Sequence, residues 1–369
     1  MNAVFRADAS HIIGHGHVMR CLTLARALRE CDVGVSFVCR EHKGHLCELI
    51  EEEGFTVRRL PVPTATSKVG KAPLHAAWLG VTWQEDARQT SKGIESGGHK
   101  PDWLVVDHYA LDSRWESALR TSSVRIMVID DLADRVHDCD LLLDQNLVAQ
   151  MHSRYVNKVP AVCHMLLGPE YALLQPTYAE LHDRLAPREG SIKRIFIYFG
   201  GADRDNLTGR SLSAFLSLNR MDIEVDVVIA SSGPHAESIH RRVMGYGNIH
   251  LHSGLPTLAS LMGKADLAIG AGGATSWERL CLGLPALVVT LADNQRPIAE
   301  ELQKMGLIRW IGHKDKVTER MIKAALAESL TATFSHAWMN SLQKVVDGRG
   351  ANRICGYLNG AEFSLPRFA

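Results

Sequence analysis

The chain has 369 residues, 46% hydrophobic and 22% charged, which fits a globular protein of two domains at roughly 100–200 residues each. Lys plus Arg (41) equals Asp plus Glu (41), so no basic field recruits nucleic acid or an anionic membrane. No apolar stretch is long enough to span a bilayer and no charged-then-apolar signal opens the chain, so a cytoplasmic protein without stable membrane association is expected. The eight cysteines show no C-x-x-C pair and read as reduced core residues. The 18 histidines include no H-E-x-x-H and no Cys/His quartet with zinc spacing, so no metal and no cofactor are expected.

In chain order, the first half reads as β/α units. Residues 1–5 form a strand, 14–17 a turn, and 18–29 a helix with Met19, Leu22, Leu24, Ala25 and Leu28 on its apolar face. A strand at 33–39, a helix at 46–53 ended by Gly54 and a strand at 56–60 follow. Residues 61–100 read as an irregular connection holding one helix near 83–91. The runs at 103–107 and 124–129 are apolar without alternation, which argues for parallel strands covered on both faces. Residues 187–191 read as a linker into a second set of units. Strands are expected there at 194–199, 224–229, 248–252, 266–269 and 286–290, alternating with helices at 207–218, 235–244 and 258–264. Further helices fill most of 296–304, 318–329 and 337–346. Two glycine loops, at Gly200-Gly201 and Gly270–Gly273, each follow a strand in this second half, where open α/β sheets bind ligands.

The stretch from Gly270 to Pro285 says most about function. A glycine-rich turn into a helix aims unpaired backbone N–H groups at an anion, and the helix dipole adds positive potential. Glu278, about one turn into that helix, has the chemistry to accept hydrogen bonds from a ribose diol. Such turns also serve close packing alone, and the spacing is neither G-x-G-x-x-G nor a P-loop, so nucleotide binding and a plain tight turn stand side by side.

Three further groups carry chemistry. The first is Arg6-Ala-Asp8 with Gly14-His15-Gly16-His17, at the end of the first strand and the start of the first helix. A histidine there, kept neutral by the helix N-terminus and oriented by Asp8, suits a general base; a capping role is the alternative. The second is Val106-Asp107-His108-Tyr109, where Asp107 or His108 could orient a partner and Tyr109 could donate to a ligand; Asp107 could equally serve the turn. The third is Thr290 to Gln295, whose Asp293, Asn294 and Gln295 suit sugar hydroxyls or phosphate, or else cap a helix.

Taken together, Phe5–Asp8, Ile13–Ala25, Val106–Tyr109, Phe199–Asp203, Gly272–Glu278, Asp293–Gln295 and Val346–Arg353 resemble the PseG family, UDP-2,4-diacetamido-2,4,6-trideoxy-β-L-altropyranose hydrolases of pseudaminic acid biosynthesis. The resemblance implies an α/β fold of the GT-B type, similar to MurG, with two Rossmann-like domains whose parallel sheets face a cleft. The expected domains are 1–187 with the catalytic histidine and 188–345 holding UDP; 346–369 would be a helix returning to the first. His17 matches the catalytic histidine, with Asp8 a candidate orienter, and Tyr109 matches a tyrosine near the sugar. Substrate contacts are expected from Arg6, Gly14, Gly16, Gly200, Gly201, Leu255 near uracil, Gly272, Gly273, Ala274, Thr275, Ser276, Glu278 at the ribose, Asn294 and Gln295.

The expected reaction is metal-independent hydrolysis of the UDP-sugar by water attack at the anomeric carbon, with C–O cleavage and inversion. His17 would be the base and the glycine loops would offset charge on the leaving diphosphate. The product would feed flagellin or capsule decoration, and the protein would act as a monomer. The rival expectation is a GT-B glycosyltransferase using a UDP-N-acetylated amino sugar; a third is a catalytically inactive UDP-sugar-binding protein.

Overall fold

A computed structural model describes residues 1–62, 75–201, 203–331 and 336–360. The chain divides into two compact units, one of Met1–Asn146, Gln150–Leu173 and the segment from Arg349 onward, the other of Leu147–Ala149 and Leu174–Gly348. Each is a Rossmann-like α/β unit built on one all-parallel sheet.

In the first unit the strands are β1 (Asn2–Ala7), β2 (Gly34–Arg40), β3 (Thr56–Leu60), β4 (Trp103–Asp107), β5 (Arg125–Ile129), β6 (Leu141–Asp144) and β7 (His164–Leu167), in the order β3-β2-β1-β4-β5-β6-β7. Alternate residues feed two separate cores: Phe5 and Val105 one, Val4, Leu104 and Val106 the other. Both faces of the sheet are therefore covered, as uninterrupted apolar strands require. The helices are α1 (Gly16–Glu30), α2 (Cys47–Glu52), α3 (Trp83–Glu95) and α4 (Ser113–Leu119), with a 3-10 turn at Ala76–Leu79. The order reverses between β1 and β4, so the carboxyl ends of these two strands form the rim where open sheets bind ligands.

The second unit holds α5 (Pro176–Arg184), β8 (Arg194–Tyr198), α6 (Leu207–Leu216), β9 (Glu224–Val228), α7 (Ala236–Val243), β10 (Ile249–His252), α8 (Ala259–Lys264), β11 (Leu267–Ala271), α9 (Thr275–Cys281), β12 (Ala286–Thr290), α10 (Arg296–Lys304), β13 (Arg309–His313), α11 (Glu319–Thr331) and α12 (His336–Gln343). Its strand order is β10-β9-β8-β11-β12-β13, with the reversal at β8 and β11. The last helix, α13 (Gly350–Leu358), packs on α1 of the first unit, where the Trp103 indole donates to the Leu358 carbonyl at 3.0 Å.

Several elements differ from the sequence reading. Strands β6, β7 and β13 and helices α4 and α5 were not expected. β6 is four residues long, half of β7 is exposed, and β13 mixes Arg, Trp, Gly and His at a sheet edge with a register shift opposite Val288 and Val289. Each is too short or too mixed to show a period of two. The chain enters the second unit at Leu174, upstream of the 187/188 boundary, because α5 packs on α8 and α9. Within the irregular connection at 61–100, Thr82 caps a helix longer than expected by accepting from the Glu85 N–H; residues 63–74 lie outside the described residues. Among the described residues no helix is long and apolar enough to cross a membrane.

Candidate active site

The first unit gathers its chemistry at the β1/β4 rim. Parallel pairing sets Ala7 opposite Asp107, so the last residue of β4 lies beside the loop that leads into α1. Gly14, at φ +83°, permits the turn, and His17 then falls in the first turn of α1. Its imidazole is 7% exposed, and Nδ1 lies 2.6 Å from Asp107 Oδ1. An ionised carboxylate can only accept, so Nδ1 carries the proton and Nε2 presents its lone pair. Among the described residues no protein group hydrogen-bonds Nε2.

Arg20 sits one turn further along the same helix face. Its Nε donates to Asp107 Oδ2 at 2.6 Å and a second nitrogen to Oδ1 at 2.7 Å, while a third donates to Asp131 Oδ2 at 2.6 Å. Burial pushes the Asp107 carboxyl upward, but Arg20 and His17 outweigh it and hold it far below the usual carboxylate range. Asp107 therefore stays charged and fixes the imidazole. Asp131 accepts as well from Asn146 Nδ2 at 2.7 Å and from the Tyr109 hydroxyl at 2.5 Å. Burial and the Asp131 charge push the Tyr109 phenol well up, so it remains a donor. Its ring stands edge-on to His17, 4.5 Å between centroids at 85°.

Asp8 does not orient His17, which corrects the sequence reading. It is fully buried, bound by the Arg6 guanidinium at 2.6 and 2.9 Å and by the Arg40 N–H at 2.7 Å. Arg6 is fully buried too and donates to Asp86, so it is a structural cation and offers nothing to an open site. The physical reason is depth: Arg6 and Asp8 lie two apart at the end of a central strand and point into the same buried layer. Gly14 and Gly16 have open space where a side chain would stand.

In the second unit the two glycine loops behave differently. After β8, Gly200 needs φ +93°. The Asp203 carboxylate then accepts from the Leu207 and Thr208 N–H groups, each at 2.9 Å, so an anion already fills the N-terminus of α6. A small solvent-open pocket is lined there by Gly200, Gly201, Asp203, Thr208, Gly233 and His235. After β11, a Cβ on Gly270 would stand 2.5 Å from the Tyr198 carbonyl, and one on Gly272 3.1 Å from the Thr290 methyl. Packing requires Gly270 and leaves little room at Gly272, which is the packing alternative weighed for this loop. A Cβ on Gly273 meets only Gln295 Nε2, at 3.4 Å.

The helix after that loop carries Ala274, Thr275, Ser276 and Glu278. Ala274 caps it without a side-chain bond. Ser276 is buried and accepts from Arg279 at 3.0 Å; Thr275 lies 3.5 Å from the same guanidinium, which also donates to the Ala271 carbonyl at 2.7 Å. Both hydroxyls thus face Arg279. Among the described residues Glu278 Oε2 is buried without a hydrogen-bond partner, while Tyr178, on α5, bonds the carboxyl. Burial pushes this carboxyl up to about 7 and the Arg279 guanidinium down to about 10. Gln295 Oε1 accepts from the Leu291 N–H at 2.8 Å, whereas Asn294 and Leu255 are exposed.

Sequence reasoning missed Arg20, Asp131, Asn146 and Tyr178, and weighed Asp107 only as one option. Arg20 had a signal, three residues after His17 on one helix face. Asn146 follows β6 and Tyr178 lies on α5, elements that were not expected.

Residues 199–347 match the glycosyltransferase family 28 C-terminal domain. The chain is 27% identical to the UDP-2,4-diacetamido-2,4,6-trideoxy-β-L-altropyranose hydrolase of Campylobacter jejuni, over 83% of this chain and 97% of that protein. By sequence the chain is similar to a PseG hydrolase. It is also 23% identical to an uncharacterised protein of Methanocaldococcus jannaschii, over 82% of this chain but only 58% of that protein's length. Among solved structures, MurG of Acinetobacter baumannii aligns with a TM-score of 0.64 at 13% identity, covering 97% of this chain and 99% of MurG. A putative UDP-N-acetylglucosamine 2-epimerase of Listeria monocytogenes aligns with a TM-score of 0.60 at 13% identity, covering 99% and 98%. The fold is therefore the GT-B type that the PseG resemblance implied.

Proposed function

We propose that the chain is a UDP-sugar hydrolase of the PseG kind, acting on UDP-2,4-diacetamido-2,4,6-trideoxy-β-L-altropyranose in pseudaminic acid biosynthesis. The observation that carries this reading is the His17–Asp107 pair, with Nδ1 held at 2.6 Å by a carboxylate kept charged, and Nε2 without a protein partner among the described residues. In this reading Nε2 takes a proton from water, and the water oxygen attacks the anomeric carbon. The bond from that carbon to the diphosphate oxygen breaks, and UDP leaves with the electron pair. Asp107 balances the imidazolium that forms. One displacement inverts the anomeric carbon and needs no covalent sugar intermediate.

The second unit supplies the nucleotide contacts. A carboxylate with one buried, unpartnered oxygen suits two ribose hydroxyl donors, and Glu278 is that group. Gly273 and Gln295 adjoin the same loop and are proposed to meet the diphosphate and sugar. The α6 N-terminus contributes less than the sequence reading implied, because Asp203 occupies it.

The match to the family 28 domain supports a second reading, transfer of the sugar to an acceptor instead of water. Incubation with the UDP-diacetamido sugar and no acceptor separates the two. Release of UDP over many turnovers is expected; a stable substrate that is cleaved only when an acceptor is added would establish the transferase.

A further inference from the structure

Although the sequence holds no C-x-x-C, the fold of the first unit sets cysteines side by side: Cys39 with Cys47, Cys31 with Cys355, and Cys139 with Cys163. Cys39 and Cys47 are closed into the core, at 3% and 0% exposure. Cys31 is exposed, but burial pushes its partner Cys355 up to about 12. The third pair differs. Cys139 and Cys163 stand just ahead of β6 and β7, neighbouring parallel strands, with their sulfurs 3.6 Å apart. Cys139 is buried and Cys163 half-buried, so the pair is reached from the Cys163 side. β7 is an edge strand paired to β6 alone, so Cys163 is held on one side only. Its sulfur has about 1.5 Å to close to reach disulfide-bond distance.

The surroundings favour a thiolate on Cys163. The Cys139 thiol can donate to it, which lowers the Cys163 thiol below its ordinary value against burial and the Asp140 charge. His137 and Arg120 add to this effect. Burial works against a charge on His137, but Asp130 and Glu116 hold it up at about 9, so the imidazole is protonated at pH 7. The same sulfur–sulfur hydrogen bond, together with burial, pushes Cys139 well up, so it keeps its proton. As a thiol Cys163 also donates to the His164 carbonyl at 3.4 Å, a weak bond that ionisation gives up. An accessible sulfur with thiolate character and a second thiol in contact is the arrangement that oxidises and then resolves.

We propose that Cys163 and Cys139 form a reversible redox site, in which a hydroperoxide oxidises Cys163 and Cys139 closes the disulfide. The Cys163 thiolate attacks a peroxide oxygen, the O–O bond breaks, and hydroxide or alkoxide leaves. Cys163 is then a sulfenic acid. The Cys139 sulfur attacks it, the S–O bond breaks, and the hydroxyl leaves as water with the Cys139 proton. A dithiol reduces the disulfide and is itself oxidised, restoring both thiols. The site is independent of the hydrolase reading, because it lies at the amino ends of the strands, opposite the rim that holds His17.

The test treats the reduced full chain with hydrogen peroxide, alkylates the remaining thiols under denaturing conditions, and maps the peptides by mass. A peptide pair joined through Cys139 and Cys163 is expected, released by dithiothreitol, with Cys39 and Cys47 recovered alkylated. The link should be lost in Cys139→Ser and in Cys163→Ser. In Cys139→Ser, which lacks the resolving thiol, dimedone should capture Cys163 as its sulfenic acid. Cys139 and Cys163 recovered as free thiols after peroxide would overturn the site, and so would a Cys39–Cys47 link formed as fast as theirs. Dimedone on Cys139 in Cys163→Ser, with none on Cys163 in Cys139→Ser, would overturn the choice of Cys163 as the attacking sulfur.

Discussion

The carboxylates of the two units are held in opposite ways. In the first, Asp107 accepts from His17 and twice from Arg20, and Asp131 accepts from Arg20, Tyr109 and Asn146. In the second, Glu278 keeps a buried oxygen without a partner among the described residues, and burial pushes its carboxyl up to about 7. A fully bonded charge network fixes one side chain in one tautomer, which is what a general base requires. A buried, under-bonded carboxyl destabilises its own fold and gains its bonds from a ligand, which is what recognition requires. On the proposed function, this contrast assigns the chemistry to the first unit and the binding to the second.

Replacing the base breaks the contrast most severely. His17→Asn should lower turnover by about 100- to 10,000-fold while UDP affinity, measured by calorimetry, stays near wild type. Parallel loss of both would merge the two roles. Asp107→Asn should cost roughly 100-fold in kcat, because an amide can donate as well as accept and no longer fixes the Nδ1–H tautomer. Asp8→Asn is the control two residues from Arg6. It should leave kcat of the folded enzyme near wild type yet cost about 3–5 kcal/mol in denaturant titration, because the buried Arg6 loses a charged partner. A catalytic defect in Asp8→Asn at normal stability would restore Asp8 as the orienter.

That last pair also shows how far sequence carried the account. The glycine turn before α1 and the histidine in its first turn are local features, and they were legible. Which carboxylate meets His17 is decided by the register of β1 against β4, a contact 90 residues apart in the chain. Asp8 is nearer in sequence, but strand alternation buries it. Likewise the loop at Gly270–Gly273 was legible as a strand-to-helix turn, while the purpose of its glycines was not. Only the approach of the Tyr198 carbonyl shows that Gly270 serves packing, with Thr290 close to Gly272 as well.

Smaller effects sharpen the second half of the contrast. Glu278→Ala should weaken UDP binding by about tenfold or more with modest change in kcat. Unchanged affinity would remove the ribose role. Glu278→Gln gives a stability signature. The folded state holds a proton on this carboxyl up to about pH 7, whereas the unfolded value is 4.5, so stability falls as pH rises through that window. The glutamine variant escapes this loss. It should unfold about 1–3 kcal/mol later than wild type at pH 8, and together with it near pH 4. A variant less stable than wild type at pH 8 would contradict a strained carboxyl.

The central claim is that water activated by His17 attacks carbon and not phosphorus. Turnover of the UDP-diacetamido sugar in ¹⁸O-labelled water, followed by mass measurement of the UDP released, tests it most directly. The free sugar exchanges its anomeric oxygen slowly, so UDP is the product to read. The account predicts UDP at its natural mass and label only in the sugar. An ¹⁸O atom in the UDP phosphate would show P–O cleavage and contradict it.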